Sequence, residues 1–124
     1  MSAKRCLVVD DSRVIRRVAA KIVQDLGFAP AEAANGPDAL AACRAEMPEV
    51  ILMEWDMTQM TGPDLARALR SLPGGAAAKV VFCTARNDLS DIRAAIAAGA
   101  DEYIMKPFDS DIVASKFLLL GLLN

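Results

Sequence analysis

Acidic, hydroxyl and ammonium side chains recur in this chain at one kind of place, the end of a short apolar run. "LVVDD" ends on Asp10 and Asp11, and "VILME" ends on Glu54 with Asp56 two residues on. "VVFCT" ends on Thr84, and "DEYIMKP" carries Lys106 just ahead of Pro107. If those ends meet, the set has a coherent chemistry. Clustered carboxylates suit a hard cation such as Mg²⁺, which keeps several waters and favours sites that also hold phosphate. A hydroxyl and an ammonium supply what the equatorial oxygens of a phosphoryl group need.

Composition narrows the alternatives. Histidine is absent, which excludes histidine acid/base catalysis, histidine metal ligands and any phosphohistidine carried by this chain. Cys6, Cys43 and Cys83 are odd in number and lack a metal or redox spacing. Two of them sit in apolar runs, so buried reduced thiols in a cytosolic protein are expected rather than a disulfide framework. A formal net charge of −2 gives no basis for general nucleic-acid binding. No apolar run is long enough to span a bilayer, and "MSAKR" does not begin a signal-peptide pattern. With 54% hydrophobic residues, 124 residues can build one domain with its own core.

The elements that must position the polar groups alternate along the chain. "RCLVVD" has the β-branched apolar character of a strand buried on both faces. Ser12 can cap a helix whose apolar positions Val14, Ile15, Val18, Ile22 and Leu26 recur at helical spacing, with Gly27 as its stop. "FAPAEAA" is a weak, proline-containing strand expected at a sheet edge. "GPDALAACRAEM" predicts a second helix with Pro37 in its first turn. "VILME" predicts a strand, "GPDLARALRSL" a helix ended by "PGG", and "KVVFCTA" a fourth strand. "NDLSDIRAAIAAG" predicts a helix stopped by Gly99, "DEYIMKP" a fifth strand, and "DSDIVASKFLLLGLL" the last helix. Such βα alternation implies right-handed crossovers and a parallel sheet covered by helices on both faces. Functional groups then collect at the carboxyl ends of the strands, where strand order reverses.

These motifs resemble the receiver domains of bacterial two-component response regulators. "LVVDDS" is similar to the family's acidic pair, and "PEVILMEWDMTQMTG" to its phosphoacceptor strand and loop, ending in Gly62. "VVFCTA" supplies the hydroxyl residue Thr84, "DEYIMKPF" supplies Lys106, and Tyr103 matches the switch aromatic. The likeness covers the whole chain and is strongest to the stand-alone chemotaxis-regulator type. It implies an α/β flavodoxin-like (βα)5 doubly wound sheet in strand order 2-1-3-4-5. It implies one receiver domain over residues 1–124 without an output domain, cytoplasmic and not an enzyme. It also implies Mg²⁺ at Asp10, Asp11, residue 54 and the carbonyl of Asp56, with phosphoryl-oxygen contacts from Thr84 and Lys106. The implied partners are a histidine kinase or phosphotransfer protein and a target protein. The target face is formed by the fourth helix, fifth strand and fifth helix.

The phosphoacceptor position departs from the family. Residue 54 is glutamate, whose carboxylate lies one methylene, about 1.5 Å, farther from the backbone than that of aspartate. Phosphoryl transfer depends on positioning and charge stabilisation, and a displacement of that size can cost about 10²-fold. Thr58 stands where the family usually has proline, which removes a fixed φ from the loop and predicts more mobility there. Asp56 as a substitute acceptor is disfavoured, because counting from Pro48 and from Gly62 both place residue 54 at the strand end. Four carboxylates near one lysine would repel at roughly 4 kcal/mol per pair at about 4 Å and an effective dielectric of about 20. The group must attract a cation, take up a proton or spread out, or Glu54 must reach Lys106 and fill the space itself.

The expected function is a signalling module acting through protein–protein interaction, with ordinary phosphotransfer lost and Glu54 holding a partly activated-like state or a merely silent one. Alternatives are a conventional acceptor at Glu54 or Asp56, and a cyclic di-GMP effector using Arg86 and Arg93. A haloacid-dehalogenase-type phosphatase is disfavoured because "VVDDS" has its acids adjacent, and flavin binding because no phosphate loop follows the first strand. Arg13, Arg16, Arg17 and Lys21 form a basic strip, read as a solvated face ahead of a docking or anion site. Trp55 is expected as a partly exposed packing residue. The tail "KFLLLGLL" has more apolar residues than one buried stripe requires, which suggests a partner or self-association surface.

Overall fold

The structure is a computed structural model describing residues 4–124, so the first three residues of "MSAKR" lie outside the described residues. Ten elements alternate along it: β1 (Arg5–Val9), α1 (Arg13–Asp25), β2 (Ala29–Ala33), α2 (Gly36–Ala45), β3 (Val50–Met53), α3 (Gly62–Arg70), β4 (Lys79–Thr84), α4 (Leu89–Ala97), β5 (Glu102–Met105) and α5 (Ser110–Leu119). The strands form one parallel sheet in the order β2-β1-β3-β4-β5. This is the flavodoxin-like order expected, with the proline-containing β2 at an edge as its composition demands.

Strand alternation divides the core into two layers. Leu7, Val9, Ile51, Met53, Val80 and Phe82 point to one face and pack against α2 and α3 through Leu40, Leu65 and Leu69. Cys6, Val8, Leu52, Val81 and Ile104 point to the other, where α1 and α5 contribute Val23, Val113 and Phe117. Strands buried on both faces explain the unbroken apolar runs in the sequence. All three cysteines are free and buried, and burial pushes the Cys83 thiol up to about 12.

The helix ends follow the local chemistry. Ser12 caps α1, its hydroxyl accepting from the Ile15 N–H at 3.3 Å. Gly27 then takes φ +98°, and Phe28 N–H reaches back to the Val23 carbonyl at 3.0 Å, a Schellman closure. The same closure ends α5 earlier than the apolar tail predicts. Gly121 (φ +75°) lets Leu122 N–H bond the Phe117 carbonyl at 2.9 Å, and Leu122 folds back into the core. What remains exposed of the tail is chiefly Leu118 and Leu119.

Register brings the polar strand ends to one edge. Val9 pairs with Met53 and Met53 with Phe82, and Thr84 pairs with Met105. Beyond the last pairs, the Glu54 N–H bonds the Val9 carbonyl at 2.9 Å and the Lys106 N–H bonds the Thr84 carbonyl at 2.9 Å. The residues following β1, β3, β4 and β5 are therefore held along one edge of the sheet.

Candidate functional site

Asp10, Glu54 and Thr84 are the buried polar residues among those described. Lys106 binds two of them, its ammonium lying 2.8 Å from Asp10 Oδ2 and 2.9 Å from Glu54 Oε1. Partial burial pulls the Lys106 pKa down, but the hydrogen bonds to Asp10 and Glu54 outweigh it and hold the lysine above its ordinary value. The other oxygen of Glu54 accepts from the Trp55 N–H and from the Asp56 N–H, the latter at 3.3 Å. The long side chain thus turns back over its own loop and fills the space in front of Lys106.

Each remaining residue has its place. Asp10 Oδ1 also accepts from the Ser12 N–H at 2.9 Å, which orients it at the start of α1. Thr84 Oγ1 accepts from the Arg86 N–H at 3.4 Å. Tyr103 is half-buried and donates its hydroxyl to the Arg86 carbonyl at 2.7 Å, so β5 is tied to the loop after β4. Burial, then the charge of Asp91, raises the Tyr103 pKa. Gly62 admits no side chain: a Cβ there would collide with Phe82 Cε1 and meet the Glu54 carbonyl at 2.6 Å. In the same loop Gln59 takes φ +74°, a left-handed turn that the sequence reading did not single out.

The four carboxylates do not gather as a ligand set. Asp11 is exposed, and none of the hydrogen bonds or ion pairs among the described residues involves it. Asp56 turns away to Arg86, with Arg86 Nη2 at 2.6 Å and Nε at 2.9 Å from its two oxygens. Among the described residues no three acid, cysteine or histidine side chains stand together to hold a metal ion. The donors are right in kind for Mg²⁺, but as arranged they do not fit it, because Asp10 and Glu54 share the Lys106 ammonium and no third acid stands with them among the described residues. The expected repulsion is relieved mainly by internal cations and by spreading out.

Arg86 bears on the cyclic di-GMP alternative, because the anion it meets is the Asp56 carboxylate of the same chain. The hydrogen bond from Arg86, outweighing slight burial, holds the Asp56 carboxyl below its ordinary value. Arg86 also reaches Asp91 at 3.4 Å and lies 5.0 Å from the centroid of Trp55, whose ring packs on Phe82. It is thus engaged on several sides, which weighs against a paired role with Arg93 toward a cyclic dinucleotide. The basic strip is largely paired. Arg16 reaches Glu32 and the Asp10 carbonyl, Arg17 reaches Glu32, and Lys21 reaches Asp25. Beside Lys106 opens a groove of about 370 Å³ lined by Ile15, Val18, Ala85, Pro107 and Phe108.

A sheet of this order with acid, hydroxyl and lysine at its carboxyl edge matches a known family model, the response regulator receiver domain, over residues 6–117. The chain belongs to that family. This receiver domain is 34% identical over 113 residues to the chemotaxis protein CheY of Pseudomonas aeruginosa, covering 90% of the chain and 91% of CheY. It is 35% identical over 105 residues to the DNA-binding response regulator MtrA of Mycobacterium tuberculosis. That match covers 85% of the chain and 45% of MtrA, so the chain spans about half the length of that relative. Among solved structures, chemotaxis protein CheY4 of Vibrio cholerae superposes with a TM-score of 0.90 at 27% identity, covering 98% of this chain and 100% of that one. The receiver domain is thus CheY-like. No described helix is long and apolar enough to cross a membrane.

Proposed function

We propose that this receiver domain signals through protein–protein contact and does not use ordinary aspartyl phosphorylation. The observation that carries the reading is the double engagement of Glu54. One oxygen holds the Lys106 ammonium at 2.9 Å while the other takes the Trp55 and Asp56 N–H groups. An ammonium and loop amides are the donors that would meet the charge on a transferring phosphoryl group. An internal carboxylate already occupies them. A phosphoryl group joining Glu54 would first have to displace the acceptor's own oxygens from those donors. Asp56 is no better placed, since both of its oxygens face the Arg86 guanidinium.

The output surface in this reading is the face of α4, β5 and α5, where a cytoplasmic target protein would dock. Tyr103 joins that face to the site through its bond to the Arg86 carbonyl. Glu54 and Tyr103 together hold the two loops in one arrangement, and that arrangement is what a partner reads. A histidine kinase or phosphotransfer protein remains the upstream partner to test. Incubation with acetyl phosphate and Mg²⁺, followed by intact-mass measurement, separates this reading from a conventional acceptor. Unchanged mass is expected; a stable adduct of about +80 Da, roughly one phosphoryl group, overturns the proposal.

A further inference from the structure

Arg86 spans the site in a way that the family resemblance does not call for. It starts in the loop after β4 and contacts both oxygens of Asp56, in the loop after β3, at 2.6 and 2.9 Å. The planar guanidinium fork matches a carboxylate at both N–H bonds. The face of Trp55, 5.0 Å away, favours the same cation, and Asp91 in the first turn of α4 meets it at 3.4 Å. Lys106 meanwhile serves Asp10 and Glu54. Three of the four acids therefore have a side-chain cation, and no three of them stand together as a metal site among the described residues.

We infer that Arg86 is a resident counter-ion that holds Asp56 away from the other acids, so that it and Lys106 take the balancing role a divalent cation would otherwise fill. Arg86 and Mg²⁺ then compete for the negative charge of the Asp56 loop, whose carbonyl is the ligand that the resemblance implies. Linkage makes the competition reciprocal: an arginine that weakens Mg²⁺ binding is itself held less tightly when Mg²⁺ binds. The inference concerns the domain without a phosphodonor, so it stands or falls separately from the role of Glu54.

The test is a Mg²⁺ titration of the full chain by calorimetry and by the fluorescence of Trp55, its single tryptophan. Arg86→Ala is expected to bind Mg²⁺ at least about tenfold more tightly than the wild type, the scale of a two-point ion pair with an aromatic partner. Arg86→Lys keeps the charge without the fork and should fall between them; it carries the comparison if the alanine variant does not fold. Asp56→Asn should shift Trp55 emission without any metal, because the guanidinium loses its anchor, and should bind Mg²⁺ no more tightly than the wild type. A purely structural role for Arg86 would lower the melting temperature and leave Mg²⁺ affinity unchanged. Equal affinity in the wild type and both arginine variants, whether tight or weak, overturns the inference.

Discussion

Lys106→Met is the most informative perturbation of the site. Methionine keeps an unbranched stem of similar reach and removes the ammonium that lies 2.8 Å from Asp10 and 2.9 Å from Glu54. At an effective dielectric of about 20, each contact is worth roughly 6 kcal/mol before desolvation is counted. Desolvation and the mutual repulsion of the two acids cancel much of that. The net loss comes from leaving two acids, at 3% and 8% exposure, without their shared cation. Breaking a buried pair in this way costs about 3–5 kcal/mol, and water at the partly exposed lysine favours the lower end. For a domain of this size about 3 kcal/mol corresponds to a melting temperature roughly 10 °C lower.

The pH dependence identifies the cause. In the wild type the titrating group is the lysine itself. Lys106 titrates above its unfolded value, so its contribution is complete below about 10.4 and is lost as pH climbs through the folded value. Thermal melts of both proteins across this range measure the effect. A variant that melts with the wild type at neutral pH, or a deficit that does not shrink as pH climbs well above about 10.4, would refute the shared-cation account.

Glu54→Asp shortens the side chain by about 1.5 Å, releases donors now held by the carboxylate, and should yield an acyl-phosphate mass adduct with acetyl phosphate where the wild type yields none. Gly62→Ala places a Cβ within 2.6 Å of the Glu54 carbonyl and closer still to Phe82, and should cost about 1–3 kcal/mol in a urea titration. The native thiols should resist a disulfide-exchange reagent at neutral pH and react only on unfolding, because burial raises the Cys83 thiol to about 12 and the Cys6 thiol further.

The fold was legible because each local signal agreed with the global one. The buried strands are short, apolar and rich in β-branched residues, and Gly27 and Gly99 stand where helices must stop. The proline-bearing β2 had only an edge to occupy. Where the reading overran, the reason lies in three dimensions. The pattern "KFLLLGLL" continues a helix on propensity alone, yet Gly121 in the left-handed region turns Leu122 back into the core, and burial of that leucine ends α5 at Leu119.

The site was legible as a collection and not as a pairing. Strand-end position requires Asp10, Glu54 and Lys106 to converge, and parallel register delivers them to hydrogen-bonding distance. Charge counting then predicts that surplus acid must find a cation, but not which one. Asp56 and Arg86 are 30 residues apart, on loops whose meeting depends on the packing of Trp55 against Phe82 and of Gly62 against the Glu54 carbonyl. Neither contact follows from a motif. The signal that was available is a coincidence of position: an acid two residues after the acceptor position and an arginine two residues after the hydroxyl position. Asp56 lies three residues beyond β3 and Arg86 two beyond the adjacent parallel β4, so the pair faces across one crevice. Opposite charges within a few residues of adjacent strand ends therefore belong in the search for internal counter-ions.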